Sequence, residues 1–193
     1  MSSAPSKRPP LTGAARHAAE KKPKNPVPKG PSSHEIRIIG GQWRRTRLKV
    51  IDKPGLRPTP DRVRETLFNW LGQDLTGLRC LDAFAGSGAL GFEAASRGAS
   101  EVLLIEQAPA LVAVLRDNAT RLKATQITVL RGDALSLMRQ RGGQAWDVVF
   151  LDPPFGDGQN GALFRDALKA ARDLLAADGL LYLEAPRPWT EVE

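Results

Sequence analysis

From Leu78 to Glu184, short apolar runs alternate with amphipathic stretches, and few architectures can bury both. The runs at 78–82, 101–106, 127–131, 147–152 and 180–184 are apolar over most of their length. That is the mark of strands covered on both faces. Between them, residues 88–97, 109–122, 134–140 and 161–176 read as helices. Strict alternation of this kind predicts an α/β fold, a mostly parallel sheet with helices on both faces. Ligands of such sheets bind outside the carboxyl ends of the strands, so the residues that close each run carry the functional question.

The first four of those runs end in or beside an acid. Val148 to Leu151 lead into Asp152-Pro153-Pro154-Phe155. Proline has no N–H and a fixed φ, so the ladder stops there and Asp152 and Phe155 are displayed at its end. Taken alone, these four residues could be a strand terminator with an aromatic that packs nearby. The first run ends in Asp82 and continues through Phe84, Gly86, Ser87 and Gly88 into a helix. Glycines there let the backbone turn sharply and approach a ligand at the helix N-terminus. Gly86-x-Gly88-x-x-Gly91 also matches a dinucleotide fingerprint. Glu106, closing the second run twenty residues after Gly86, can hold ribose hydroxyls of either a dinucleotide or S-adenosyl-L-methionine (SAM). Asp82, just before the glycine loop, can receive the cationic amino group of a methionine moiety. Asp133, just after the third run, can accept from an adenine amino group. Any one of these acids could be a loop cap. Four on one rim are harder to explain that way, and hydride transfer has no evident use for Asp152 to Phe155.

Upstream of this region the charge changes. Residues 1–33 hold seven Lys or Arg and one acid, with many Pro, Ser and Ala. Such a segment buries too little apolar surface to offset its ordering entropy, so a disordered basic tail is expected. Residues 34–67 hold nine basic and four acidic side chains, whereas 68–193 hold twelve and sixteen. A basic N-terminal third on an acidic body points to a polyanion met from one side, or to a solubilising tail. Ile36 to Ile39, Gly40-Gly41 and Trp43 to Val50 predict a hairpin. Period-2 alternation puts Arg45, Arg47 and Lys49 on one face of its second strand. That row would contact phosphates or protect an edge strand. Thr59, Pro60 and Asp61 then predict the start of a helix, with Thr59 as cap and Val63, Leu67, Trp70 and Leu71 as its apolar stripe. Arg62 and Arg64 fall off that stripe.

The remaining composition narrows the class. A chain of 193 residues suits a basic tail (1–33) and one domain (34–193), made of hairpin and helix (34–72) and core (73–193). The lone cysteine, Cys80, lies in an apolar run and reads as a small buried hydrophobe in a reducing cytosol. His17 and His34 have no ligand-like spacing, so no metal is expected. No apolar run is long enough to span a membrane and no secretory signal is evident; a cytoplasmic monomer is expected.

Four motifs carry a resemblance. Asp82-x-Phe84-x-Gly86-x-Gly88 resembles the SAM loop of class I methyltransferases, whose core is Rossmann-like. Asp152-Pro-Pro-Phe155 resembles the signature of enzymes that methylate exocyclic amino groups of bases. Together with Arg37-Ile-Ile-Gly-Gly-Gln-Trp-Arg44 and Arg57-Pro-Thr-Pro-Asp-Arg-Val-Arg-Glu-Thr-Leu-Phe-Asn-Trp-Leu71, they are similar to the bacterial 16S rRNA guanine-N2 methyltransferases of the D type, over about residues 35–185. The resemblance implies SAM as cofactor and 16S rRNA of the small ribosomal subunit as partner. It implies cofactor contacts from Asp82, Phe84, Gly86, Ser87, Gly88, Glu106, Gln107, Asp133 and Ala134, and catalysis by Asp152, Pro153, Pro154 and Phe155. Expected RNA contacts are Arg44, Arg45, Arg47, Lys49, Arg57, Arg62 and Arg64, with Thr59 near the same entrance. In this family a further hairpin follows the fifth strand; here only Ala185 to Glu193 follow, so a shortened end and an open sheet edge are expected. A DNA adenine or cytosine amino-methyltransferase, and a non-catalytic RNA-binding module of the same fold, are the alternatives.

Overall fold

The computed structural model describes residues 35–51, 56, 58–154 and 161–185. The N-terminal segment 1–33, Arg57 and Phe155 lie outside the described residues. Two short strands come first, β1 (Glu35–Arg37) and β2 (Arg47–Lys49), antiparallel with Ile36 opposite Leu48. Ile36 and Leu48 are buried while their neighbours face solvent. This second strand is shorter than expected. Arg45 takes a left-handed φ of +70° in the connecting turn, where its N–H bonds the Ile38 carbonyl at 2.8 Å, so it leaves the row with Arg47 and Lys49.

Helix α1 (Asp61–Trp70) starts one residue later than expected, with Pro60 at the cap position and no side-chain cap bond. Thr59 is buried and serves elsewhere. The stripe is also rotated from the expected one: Arg64, Leu67 and Phe68 are buried, whereas Val63 is 39% and Trp70 77% exposed. Two tertiary contacts decide the rotation. Phe68 packs against Phe150 with ring centroids 6.0 Å apart, and the Arg64 guanidinium is drawn inward by a buried carboxylate.

Alternation then follows: β3 (Arg79–Asp82), α2 (Ala89–Ser96), β4 (Glu101–Glu106), α3 (Pro109–Arg121), β5 (Ile127–Arg131), α4 (Ala134–Gln140), β6 (Trp146–Leu151), α5 (Gly161–Arg172) and β7 (Leu175–Leu183). The sheet order is β5-β4-β3-β6-β7, and every neighbouring pair is parallel. Period-2 alternation divides the core. Cys80, Val102, Leu104, Val148 and Phe150 join the hairpin and α1 to α3 on one face. Leu81, Leu103, Ile105, Val149 and Leu151 pack on the other face with residues of α4 and α5. Cys80 is fully buried, and burial first, then Asp147 and Asp82, push its thiol up to about 12. It packs rather than reacts.

β7 begins at Leu175 and takes the last turn expected of α5. Trp146 pairs with Leu175 but Val148 with Leu180, so β7 bulges across 176–179. Gly179 permits this, since a Cβ there would lie 2.9 Å from the Trp146 carbonyl oxygen. Among the described residues β7 pairs with β6 alone, and Leu180 is 52% exposed on the edge strand. No helix among the described residues is long and apolar enough to cross a membrane.

A buried polar framework holds the hairpin to the sheet. Glu93 of α2 is fully buried and accepts the N–H groups of Ile39 (2.9 Å) and Gly40 (2.7 Å). It also pairs with Arg64 at 3.3 Å and Arg97 at 2.8 Å. Ser96 accepts from the Trp43 N–H and donates to the Gly40 carbonyl. Buried Asn118 of α3 bonds both the N–H and the carbonyl of Lys49, as a neighbouring strand would. Buried polar groups persist where every donor and acceptor is matched.

Candidate active site

The chain leaves β3 for β4 and β5 on one side, then returns to β6 on the other. The helices after β3 and β6 pack on opposite faces, so a crevice opens where these two strands end. Asp82 closes β3 on one side of it. The carboxylate is 2% exposed, accepts the Gly91 N–H at 3.1 Å and is also bonded by the Phe84 N–H. Burial, then Asp152 and Glu106, raise its pKa to about 7 against those two bonds. Asp82 therefore sits beneath the loop and ties it to α2.

Gly88 caps α2 in the left-handed region at φ +79°, and a Cβ there would fall 2.6 Å from Leu115 and 2.7 Å from Phe92. Gly91 is needed for close approach, because a Cβ would collide with Leu104 of the adjoining strand. Glu106 accepts the N–H groups of Gly86 at 2.9 Å and Ala108 at 2.7 Å. Two acids of the rim thus shape the glycine loop as well as face it. Phe84 is half-buried, Ser87 buried and Gln107 exposed. Asp133 is the N-cap of α4, accepting the Ser136 N–H through Oδ1 at 2.8 Å, with Ala134 buried behind it. Its capping duty uses one oxygen.

Across the crevice, Asp152 follows β6 and is half-buried, with Pro153 buried and Pro154 exposed. Burial, then the nearby Glu184, raise its pKa to about 7, while a hydrogen bond from the Thr59 hydroxyl pulls the other way. Glu184 directly follows β7. Its N–H bonds the Leu151 carbonyl at 2.8 Å, and its carboxylate accepts from the Tyr182 hydroxyl at 3.4 Å. Sequence reasoning missed Thr59 and Glu184 as partners of Asp152. The strand-end rule applied to the fifth run would have found Glu184; nothing local marks Thr59, whose role comes from where α1 starts.

The basic residues divide. Arg64 is buried among Glu93, Asp61 and the carbonyls of Thr59 and Arg37, so it is a structural cation and not an RNA contact. Arg47 pairs with Glu35 at 2.7 Å and Lys49 with Asp117 at 2.9 Å. Arg44, Arg45 and Arg62 are exposed and have no ion pair among the described residues. The turn bearing Arg44 and Arg45 is tied to Ser96, at the carboxyl end of α2. In a parallel α/β layer that end lies away from the strand ends bearing Asp152. Arg62, in the first turn of α1, lies near Thr59 and hence near that rim. A hollow of about 450 Å³ lined by Leu71, Leu78, Asp147, Val148, Asp178 and Leu180 opens at the amino ends of the strands, away from Asp82 and Asp152.

Two carboxylates on one crevice are raised to about 7, first by burial and then by neighbouring carboxylates. That fits a ligand with a sulfonium and an ammonium group, beside a loop shaped for backbone approach and acids spaced for ribose and adenine. The fold and this site define a SAM-dependent methyltransferase. The comparisons agree. A family model, Conserved hypothetical protein 95, matches residues 36–193. The Ribosomal RNA small subunit methyltransferase D of Escherichia coli (strain K12) is 47% identical over 82% of this chain and 78% of its own length. That of Haemophilus influenzae is 41% identical over 88% and 91%. A solved Escherichia coli structure described as a candidate methyltransferase superposes with a TM-score of 0.70 at 44% identity, covering 78% of this chain and 80% of that one. A Trypanosoma brucei enzyme–prozyme complex with AdoHcy shares the fold at TM-score 0.51 and 26% identity, covering 63% of this chain and 38% of that one. The chain belongs to the family of Ribosomal RNA small subunit methyltransferase D.

Proposed function

We propose that this enzyme methylates the exocyclic N2 amino group of a guanine in 16S rRNA of the small ribosomal subunit. The observation that carries the reading is Asp152, half-buried at the end of β6 across the crevice from Asp82 and followed by two prolines. The rRNA assignment draws on the names of the relatives. Asp82, Glu106 and Asp133, with the loop from Phe84 to Gly88, Gln107 and Ala134, would hold SAM, which supplies an electrophilic methyl group when bound. A guanine amino group is a poor nucleophile because its lone pair is delocalised into the ring. The Asp152 carboxylate and the Pro153 carbonyl each accept one of its N–H bonds, which draws the nitrogen towards tetrahedral geometry. Asp152 also stabilises positive charge as it develops on that nitrogen. A carboxylate held near 7 is then a competent acceptor for the proton the alkylated nitrogen sheds. Phe155 would stack on the base, which must leave its neighbours to reach the pocket. Thr59 fixes the Asp152 carboxylate from the side of α1.

Incubation with methyl-labelled SAM and, separately, small subunits, naked 16S rRNA and duplex DNA tests the reading, followed by nucleoside analysis. N2-methylguanosine from either RNA sample is expected. Label in a DNA adenine or cytosine, or none in any sample, would overturn it.

A further inference from the structure

An acid next to Asp152 is unusual, because two adjacent carboxylates repel. The register puts Glu184 there: Leu151 pairs with Leu183, and the Glu184 N–H bonds the Leu151 carbonyl at 2.8 Å, so Asp152 and Glu184 close neighbouring parallel strands. Such neighbours lie about 4.8 Å apart and project to the same side. Tyr182 holds Glu184 through its hydroxyl at 3.4 Å, and no cation pairs with Glu184 among the described residues. Burial and Glu184 together keep the Asp152 carboxyl near 7, so the pair gains from a partner that brings donors to both.

Base chemistry supplies such a partner selectively. The reacting amino group of guanine stands beside a ring N1–H, a second donor on the same edge. Adenine and cytosine place a ring lone pair beside their amino groups, which a carboxylate repels. We propose that Glu184 accepts the ring N1–H of the target guanine while Asp152 holds its amino group, so that the two carboxylates together select guanine. This rests on the guanine-N2 reading above and makes Glu184 a specificity-determining residue, with Tyr182 as its positioning residue.

The test uses small subunits reconstituted with 16S rRNA that carries guanine or 2-aminopurine at the position the wild-type enzyme methylates. 2-Aminopurine keeps the 2-amino group but has a lone pair at N1. The wild-type protein is expected to prefer guanine in kcat/KM by roughly tenfold or more, since a site built for a substrate N–H rejects an analogue without it. In Glu184→Gln the amide can turn its NH2 to that lone pair, so guanine loses and 2-aminopurine gains, and the preference collapses. Tyr182→Phe, which removes one hydroxyl, should reduce the preference several-fold without slowing transfer to 2-aminopurine. A purely structural role would slow both substrates alike and leave their ratio unchanged; that result in either variant, with SAM affinity retained, overturns the proposal. Absence of N2 transfer to guanine by the wild-type protein would instead sink the underlying reading.

Discussion

At the scale of single residues, the site is a set of acids restrained by donors. Thr59 is one such donor, and its loss leaves the Asp152 carboxyl higher than about 7. In the proposed mechanism Asp152 acts ionised, so Thr59→Val should move the acid limb of the kcat–pH profile to higher pH, with the alkaline side little changed. An unmoved limb would show that the hydroxyl does not govern this carboxylate. Asp82 is raised by burial, Asp152 and Glu106, and Asp152 by burial and Glu184. Around pH 7 the ligand-free protein therefore holds protons on these groups. A cationic ligand favours the ionised forms, so SAM affinity should rise as pH goes from 6 to 8, with protons released on binding. Titration calorimetry in buffers of differing ionisation enthalpy measures that release; uptake, or none, would contradict the sign. Asp152→Ala should abolish transfer yet leave SAM affinity within a few-fold, because the proposed mechanism gives Asp152 the base and not the cofactor to hold.

Elements bring a different kind of group into play. Glu93 stands mid-helix in α2 with no exposure, yet it gathers two backbone N–H groups from the hairpin, Arg64 from α1 and Arg97 from the cap that follows its own helix. Removing one partner of a buried pair leaves the other charged and unmatched, at a cost of about 3–5 kcal/mol. Glu93→Ala should accordingly lower the unfolding free energy in urea by about that amount, and Arg64→Ala should do the same. Glu93 joins the hairpin to α1 and α2, so both variants should also open the hairpin amides to hydrogen exchange. Retained protection there would mean that Asn118 and Ser96 suffice to hold it.

Over the whole molecule, the usable positive charge is smaller than the sequence total. Arg64 is internal, and Arg47 and Lys49 are committed to Glu35 and Asp117. Exposed ion pairs contribute little to stability, but an acid beside each cation weakens its attraction for phosphate. Arg44, Arg45 and Arg62 have no such partner among the described residues. Each phosphate contact contributes roughly 0.7 to 0.9 to the slope of log K against log salt. Per residue neutralised, Arg44, Arg45 and Arg62 should flatten that slope for RNA by more than Arg47 and Lys49. Equal effects would mean that both ion pairs open on the RNA. Since the Arg44–Arg45 turn and Arg62 belong to opposite ends of the layer, RNA reaching both would have to run along the hairpin side of the domain.

Much of this protein is legible in its sequence, because its strongest signals are local. Five apolar runs alternating with helices have one economical solution, and prolines after Leu151 or glycines after Asp82 act on the backbone within a residue or two. The parallel sheet, the crevice and the acids at its strand ends follow from such short-range rules. The rotation of α1 did not, because Val63 and Trp70 are as apolar as Leu67; only the Phe150 ring and the Glu93 carboxylate, far away in the chain, decide which side faces in. For the same reason Arg64 reads as a surface cation until Glu93 is seen to hold it. Thr59 reads as a helix cap until Asp152 is found beside it, 93 positions later in the chain. Periodicity and turn chemistry determine the scaffold and mark its functional edge. Which polar side chains meet across that edge is decided by non-local contacts, for which no spacing in the sequence stands proxy.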